Sequence, residues 1–478
     1  MIILYAVIAV LVILTVTVLA RTAAFRPEQE ETVSTDAVDT DDGKIVRDMQ
    51  DMIRCRTVSN RDEALVDREE FAKFEKLLEE RFPQIHRQCE KKKIGKTGLL
   101  FKLKGLSDEK PSVCMAHYDV VPADQSEWSI GAFDGTLKDG KIWGRGTLDT
   151  KGTLCAVMEA VEKLISEGFV PADDLYLSFS GEEEIDGDSC DDIVTYLQEN
   201  GIKPAFVLDE GGAVVSGAFP GMKEDCAAVG VVEKGSVNLD LIVERPGGHA
   251  STPPAHSNIG ILADAVRSIE RHPFSGQLTP PVRKMFETLG RHSSFGLRMI
   301  FANLWLFWPL FNVICKRSGG DMYALTRTTV AVTRAEGSAA YNVMPSKATA
   351  GLNLRLLGTD TIGSAMTHLK KVIDDDRVKI ELVNGSNPSL VSDTECDEWN
   401  TLRGVIEETW PGTVVSPYLM MACSDSRHYC RITDRVYRFC GQKLSKEERG
   451  MIHGVNERIP VETLIKTVVF YTRLIKKL

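Results

Sequence analysis

Ser112-Val113-Cys114-Met115-Ala116-His117-Tyr118-Asp119-Val120-Val121 is an apolar run of strand length interrupted by a histidine and an aspartate. Ser112 to Ala116, a short apolar run ending at His117, reads as a strand. Working outward, Lys151 to Ser166 places Leu154, Val157, Val161, Leu164 and Ile165 on one helical face. Leu175 to Ser180 alternates as a strand and runs straight into Glu182. Asp191 to Asn200 reads as a helix stopped by Gly201, and Ala205 to Leu208 as a strand ending at Asp209-Glu210. Strands alternating with helices predict an α/β domain with a mixed, largely parallel sheet. Ligands in such sheets collect beyond the carboxyl ends of the strands, which is where these polar residues fall.

The pattern changes near Gly235. Val237–Glu244, Thr328–Thr333, Thr349–Leu356 and Val378–Val383 read as strands, with helices over Asn258–Arg271 and Thr361–Asp375. The order strand, helix, strand, strand, helix, strand predicts a ferredoxin-like α+β unit. It is expected to be inserted over residues 236–391 into a catalytic domain made from residues 45–235 and 392–478. Gln277 to Gly320 is expected to elaborate the insert. Its apolar segment Leu304-Trp305-Leu306-Phe307-Trp308-Pro309-Leu310-Phe311 is either core of the insert or a wall for an apolar ligand.

The chain has 478 residues, 43% of them hydrophobic, enough for two domains and a sizeable core. Its net charge of −11 argues against a nucleic-acid partner, which usually meets a basic surface. Ile2 to Ala20 carries no charged side chain, and in a helix it would span about 28 Å, close to a hydrocarbon core. Residues 1–25 are therefore a signal peptide or a signal-anchor helix. Small residues at Val18 and Ala20 suit cleavage, whereas the missing basic n-region suits an anchor. Either reading sends the chain into the secretory pathway, secreted or membrane-anchored with a lumenal or extracellular catalytic domain. Arg21 and Arg26 pull the other way, because basic flanks favour the cytosol. Residues 26–44 read as an acidic linker. The eleven cysteines show no disulfide-dense spacing and are expected to be mostly core thiols, with room for one or two bridges.

Five segments carry chemistry. They are Ala116-His117-Tyr118-Asp119-Val120-Val121, Gly144-Arg145-Gly146-Thr147-Leu148-Asp149-Thr150-Lys151-Gly152, Ser180-Gly181-Glu182-Glu183-Glu184, Leu208-Asp209-Glu210-Gly211-Gly212 and Ile452-His453-Gly454. Imidazole and carboxylate are ligands that zinc takes in catalytic sites. Singly, each segment has an ordinary reading: a core histidine, a solvated acidic turn, a glycine-rich bend. Their joint order resembles the aminoacylase/carboxypeptidase family of co-catalytic zinc peptidases, over nearly the whole chain after Ile45. Within the family, Asn303-Leu304-Trp305-Leu306-Phe307 and Asp425-Ser426-Arg427 resemble carboxypeptidase S and the secreted N-fatty-acyl-amino-acid synthase/hydrolases.

The resemblance implies two divalent metal ions, zinc on the family pattern. Asp149 would bridge them, His117 and Glu210 would complete one shell, and Glu184 and His453 the other. Asp209 stands as the alternative to Glu210. Asp119 would accept the imidazole N–H of His117 and fix its tautomer. Glu183 would be the general base, taking a proton from the water between the metals and passing it to the leaving nitrogen. His249, in Gly247-Gly248-His249-Ala250-Ser251, would stabilise the oxyanion. Asn342 and Arg427 would bind substrate, Arg427 through a carboxylate. The insert would also serve as a lid and support a homodimer.

The implied function is a metal-dependent amidohydrolase that cleaves, and by condensation forms, the amide bond of N-acyl amino acids, especially N-fatty-acyl amino acids. A carboxypeptidase or dipeptidase acting on short peptides is the alternative. A catalytically inactive, membrane-tethered binding protein is the reading outside this class. Its signature would be a lost ligand or base, and none of these residues is missing.

Overall fold

The computed structural model describes residues 1–27, 36–219 and 221–478. Residues 28–35 of the expected linker therefore lie outside the described residues.

Strands Glu90–Ile94, Gly98–Leu103, Asp173–Ser180, Ser107–His117, Phe206–Asp209, Val436–Arg438, Cys226–Glu233, Val214–Val215 and Lys443–Leu444 lie side by side in that order. Val414–Met420 adds parallel to Cys226–Glu233 and completes a sheet of ten strands. The four in the middle, from Asp173–Ser180 to Val436–Arg438, all run parallel. This is the mixed α/β fold with a largely parallel centre.

The Ser107–His117 strand shows why its sequence lacks polar alternation. Val113 and Met115 face a cluster with Ile193, Val194 and Leu197 of the Ser189–Glu199 helix. Cys114 and Ala116 face the opposite, larger core, which includes Leu154, Val157 and Val161 of the Lys151–Ser166 helix. Helices on both faces of a strand require apolar residues at every position. The helix Val461–Lys477 packs beside Lys151–Ser166 and closes that layer.

The second sheet is antiparallel, in the order Thr329–Glu336, Lys347–Leu356, Gly235–Glu244, Lys379–Ser386. Helices Asn258–Arg271 and Ile362–Ile373 cover one face of it, giving the unit a core of its own around Leu239, Leu241, Ile261, Leu352 and Leu369. Strand order and connectivity are ferredoxin-like.

Residues 277–320 do not pack as an elaboration of that unit. They form helices Pro280–Arg291, Phe295–Ala302 and Leu304–Ser318. Val282, Met285, Phe286, Phe301 and Leu304 join the large core of the catalytic part, beside the Val414–Met420 strand. The reason is aromatic packing: Phe286 and Phe301 lie 5.5 Å apart, and Phe301 meets Phe219 of the catalytic part at 4.9 Å. The apolar octapeptide is split by this arrangement. Leu304 is buried, whereas Trp305 and Leu310 face outward. All eleven cysteines are free thiols.

Candidate metal centre

His117 closes the Ser107–His117 strand, and the next residue locks the turn. The Tyr118 amide donates to the Ser180 carbonyl at 2.9 Å. Its ring stacks on Phe74 at 5.0 Å, and its hydroxyl donates to the Thr97 carbonyl at 2.6 Å. With the chain fixed on both sides, the His117 imidazole leaves the sheet edge in one direction. Its Nδ1 lies 3.0 Å from the main-chain oxygen of Asp119, which sets Nε2 as the free ligand atom.

The Asp119 carboxylate sits slightly farther from that nitrogen, at 3.4 Å, and has a larger structural task. It accepts hydrogen bonds from the Ser59 hydroxyl at 2.7 Å and from the main-chain amides of Glu183 and Glu184 at 3.2 and 3.1 Å. One buried carboxylate thus pins the turn that presents the next two acids. That turn follows the Asp173–Ser180 strand, whose Ser180 is the register partner of His117. Asp119 thus faces His117 Nδ1 with both its main-chain and its carboxylate oxygen, and the same carboxylate anchors Glu183 and Glu184.

Asp149 lies on the loop between Lys141–Trp143 and the Lys151–Ser166 helix. The peptide between Asp149 and Thr150 is cis. Glu457, with no exposed surface, organises this loop: its carboxylate pairs with Arg145 at 2.7 Å. It also accepts the amides of Gly146 at 3.1 Å, Leu148 at 2.8 Å and Asp149 at 3.3 Å. Lys151, equally buried, donates to the carbonyls of Met52 and Cys55 at 3.1 and 2.7 Å, and burial pushes its pKa down to about 8.

These segments converge on one point. His117 Nε2 is 3.0 Å from Asp149 Oδ1, 3.5 Å from Glu210 Oε1 and 4.0 Å from Glu183 Oε2. His453 Nε2 is 2.9 Å from the other Asp149 oxygen and 3.0 Å from Glu184 Oε2. Asp149 therefore stands between two imidazoles, one oxygen to each. Donor atoms of His117, Asp149 and Glu184 lie within 4.8 Å of one another, as do those of His117, Glu183 and Glu210. Asp209 points elsewhere and accepts the Ser426 amide at 3.1 Å. Glu210 is the carboxylate of that pair that reaches His117.

The electrostatics follow from crowding four carboxylates around two imidazoles, of which His117 is buried and His453 is half exposed. Burial resists charge on His117, but Glu210, Asp119 and Asp149 outweigh it and hold its pKa well above the ordinary histidine range. Hydrogen bonds to Asp149 and Glu184 raise His453 to about 10. Burial, helped by Asp149, lifts Glu210 to about 8, and burial with neighbouring acids lifts Glu183 strongly. For Asp149 the penalty of burial is overcome by His117 and His453, which push its pKa down. Such a cluster suits divalent cations. The donors are oxygen and nitrogen, negative charge exceeds positive, and Glu184 Oε1 is buried with no hydrogen-bond partner. The residues fit the two-metal group.

Three expected residues lie apart from this cluster. His249 is exposed on the two-residue strand Gly248–His249, paired with Val343–Met344, and its Nδ1 contacts the Ser251 hydroxyl at 2.7 Å. Asn342 is beside it, its carbonyl accepting the Ala250 amide at 3.1 Å. Arg427 lies in the Asp425–Arg431 turn, where its guanidinium is held by Asp186, two residues past Glu184. Sequence reasoning missed Glu457 and Ser59. A lone Glu and a lone Ser carry no local signal, since their partners are distant in the chain.

A largely parallel α/β sheet with imidazoles and carboxylates gathered at its strand ends defines a metal-dependent hydrolase of amide bonds. The chain belongs to the peptidase family M20/M25/M40, whose profile it matches over residues 113–477. It is 37% identical over 413 residues to a probable carboxypeptidase S-like 2 of Dictyostelium discoideum, covering 85% of this chain and 79% of that one. It is 36% identical over 476 residues to the N-fatty-acyl-amino acid synthase/hydrolase PM20D1 of Xenopus tropicalis, covering 98% and 92%. In fold it is similar to the M20 family metallo-carboxypeptidase Sso-CP2 of Sulfolobus solfataricus, with TM-score 0.68 at 17% identity, covering 90% and 98%.

Proposed function

We propose that this chain hydrolyses, and in reverse condenses, N-fatty-acyl amino acids at a centre of two zinc ions. The observation that carries the chemistry is Asp149 standing between His117 and His453, with Glu210 and Glu184 on its two sides. His117, Asp149 and Glu210 would hold one metal, and Asp149, Glu184 and His453 the other. When bound, the metals polarise the scissile carbonyl and lower the pKa of the attacking water.

Glu183 is the general base. It neighbours the ligand Glu184, its carboxylate reaches within 4.0 Å of His117, and its amide is fixed by Asp119. It takes one proton from water as the C–O bond forms and delivers it to the amide nitrogen as the C–N bond breaks. Arg427 receives the free carboxylate of the amino acid, exchanging Asp186 for substrate. His249 and Asn342 serve the oxyanion and substrate when the lid, in a dimer, brings them to the centre. The fatty acyl reading over the peptidase reading is supported by the likeness to the Xenopus synthase/hydrolase, which spans nearly the entire chain. The N-terminal segment supports passage through the secretory pathway, and the net charge of −11 fits a small-molecule substrate and no nucleic acid.

The test is a paired assay of the purified full chain on an N-oleoyl amino acid and on a dipeptide, with and without chelator, beside Glu183→Gln. Chelator-sensitive release of oleate that is lost in the variant is expected. Cleavage of the dipeptide alone would refute the substrate while leaving the centre intact.

A further inference from the structure

The first helix, Ile2–Ala24, is 23 residues long and apolar, about 34 Å and enough to cross a bilayer. Its last turns are not free. Val18 and Thr22 are buried against the helix Phe295–Ala302. Arg21 donates through Nε and Nη2 to the Ala302 carbonyl at 3.2 and 3.1 Å. Asn303, fully buried, donates to the Val18 carbonyl and to the Thr22 hydroxyl, both at 3.3 Å, and to Met299 at 2.9 Å. Arg291 lies over the Phe25 ring at 4.9 Å and donates to the Arg26 carbonyl at 3.1 Å. Cleavage after Ala20 would remove Val18 from this joint and cut the helix that Asn303 is built to hold.

Asn303 is also the elbow at which Phe295–Ala302 and Leu304–Ser318 meet at 109°. Phe301 and Leu304 fix the inner side of the elbow in the catalytic core. On the outer side, Leu310, Val313 and Ile314 recur at helical spacing, and Trp305 and Phe295 are exposed nearby. The helix then ends on Lys316 and Arg317. A cleft of about 260 Å³ between the elbow and the end of the first helix is lined by Arg21, Arg283, Arg291, Glu287, Phe25 and Trp305. Three arginines and one glutamate line it together with apolar side chains. An apolar helix face beside a cationic cleft, rigidly joined to the end of a span, matches the layers of a bilayer interface.

We propose that the first helix is retained as a membrane anchor, and that the elbow lies in the interface of the same bilayer. The arginine cleft then seats the phosphate of an anionic phospholipid. The proposal is independent of which amide the centre cleaves. It also explains why Arg21 and Arg26 follow the apolar run against the usual charge bias: both are parts of the joint.

The test uses the full chain reconstituted in vesicles of phosphatidylcholine, with or without phosphatidylglycerol, brominated near the headgroup end of the acyl chains. Trp305 is the one exposed tryptophan among the described residues, so contact with lipid quenches its emission. Loss of most of that quenching in Trp305→Phe is expected, with hydrolytic activity retained. Phosphatidylglycerol should stay bound after extraction, resist competition by inorganic phosphate, and be lost in the Arg283→Gln, Arg291→Gln pair. Equal quenching in wild type and Trp305→Phe would overturn the interfacial elbow. Displacement by inorganic phosphate alone would overturn the phospholipid assignment. An N-terminus at Arg21 in protein recovered from cells would overturn the retained anchor. A cross-linked dimer with unquenched Trp305 would give this face to a second copy and overturn the bilayer.

Discussion

Glu457→Gln tests the claim that a buried carboxylate, not a ligand itself, shapes the bridging loop. The change keeps the volume but removes the charge opposite Arg145 and turns an N–H donor toward backbone amides that need acceptors. Leaving one member of a buried ion pair alone costs about 3–5 kcal/mol. At about 2.1 cal/mol/K of unfolding entropy per residue, for a chain of 478 residues that lowers Tm by roughly 3–5 °C. Because the Asp149 amide also rests on Glu457, metal affinity should fall about 10–100-fold, as when other supports of metal ligands are removed. Thermal unfolding of chelated and metal-loaded protein, with metal titrations, reads both effects. A double-mutant cycle with Arg145→Met should show a coupling of about 1 kcal/mol or more. A stability loss under about 1 kcal/mol, or additive single effects, would refute this account of the loop.

Metal binding at pH 7 should release protons, because Glu210 near 8 and His453 near 10 hold them in the metal-free state. Calorimetry in buffers of different ionisation enthalpy should show that release, and apparent affinity should rise with pH; pH-independent binding would contradict it. Arg427→Lys should raise KM for acyl amino acids about 10–100-fold, the worth of roughly 1.5–3 kcal/mol for a charged hydrogen bond, with a much smaller change in kcat. An unchanged KM in steady-state kinetics would remove Arg427 from the substrate site. Lys234 is buried between the two units, donating to the carbonyls of Ala324 and Arg327 at 3.0 and 2.8 Å, and burial pushes its pKa down to about 7 from 10.5. The unfolded chain binds the extra proton between those values, so the destabilisation is complete below pH 7 and fades as pH rises toward 10.5. Lys234→Met should therefore raise Tm most at and below pH 7, with the gain shrinking by pH 10; a gain that grows with pH would show the sign to be wrong.

The strand carrying His117 was legible because burial on both faces forces an unbroken apolar run, and because ligands cluster where parallel strands end. The two strands before it, Glu90–Ile94 and Gly98–Leu103, were not read, since the lysine-rich first strand lies at the sheet edge with two of its five residues exposed and none buried. The segment around Trp305 announced its apolar character but not its address. An apolar residue records that it leaves water, not which of two cores receives it. Asp209 and Glu210 differ by one residue, and only the strand's direction decides which side chain turns toward His117. For Glu457, the partners lie about three hundred residues earlier, and no local period connects them.

The separate core of the ferredoxin-like unit has a kinetic consequence. Its apolar side chains are buried among themselves, and none belongs to the core beneath the metal centre. Cooperative units of this kind open with their own free energies. Hydrogen exchange should find the lid strands loosening together while amides of the Ser107–His117 and Asp173–Ser180 strands stay closed. The lid can then melt and re-form, or drift in sequence over generations, without the carboxylates gathered around His117 and His453 ever losing their register.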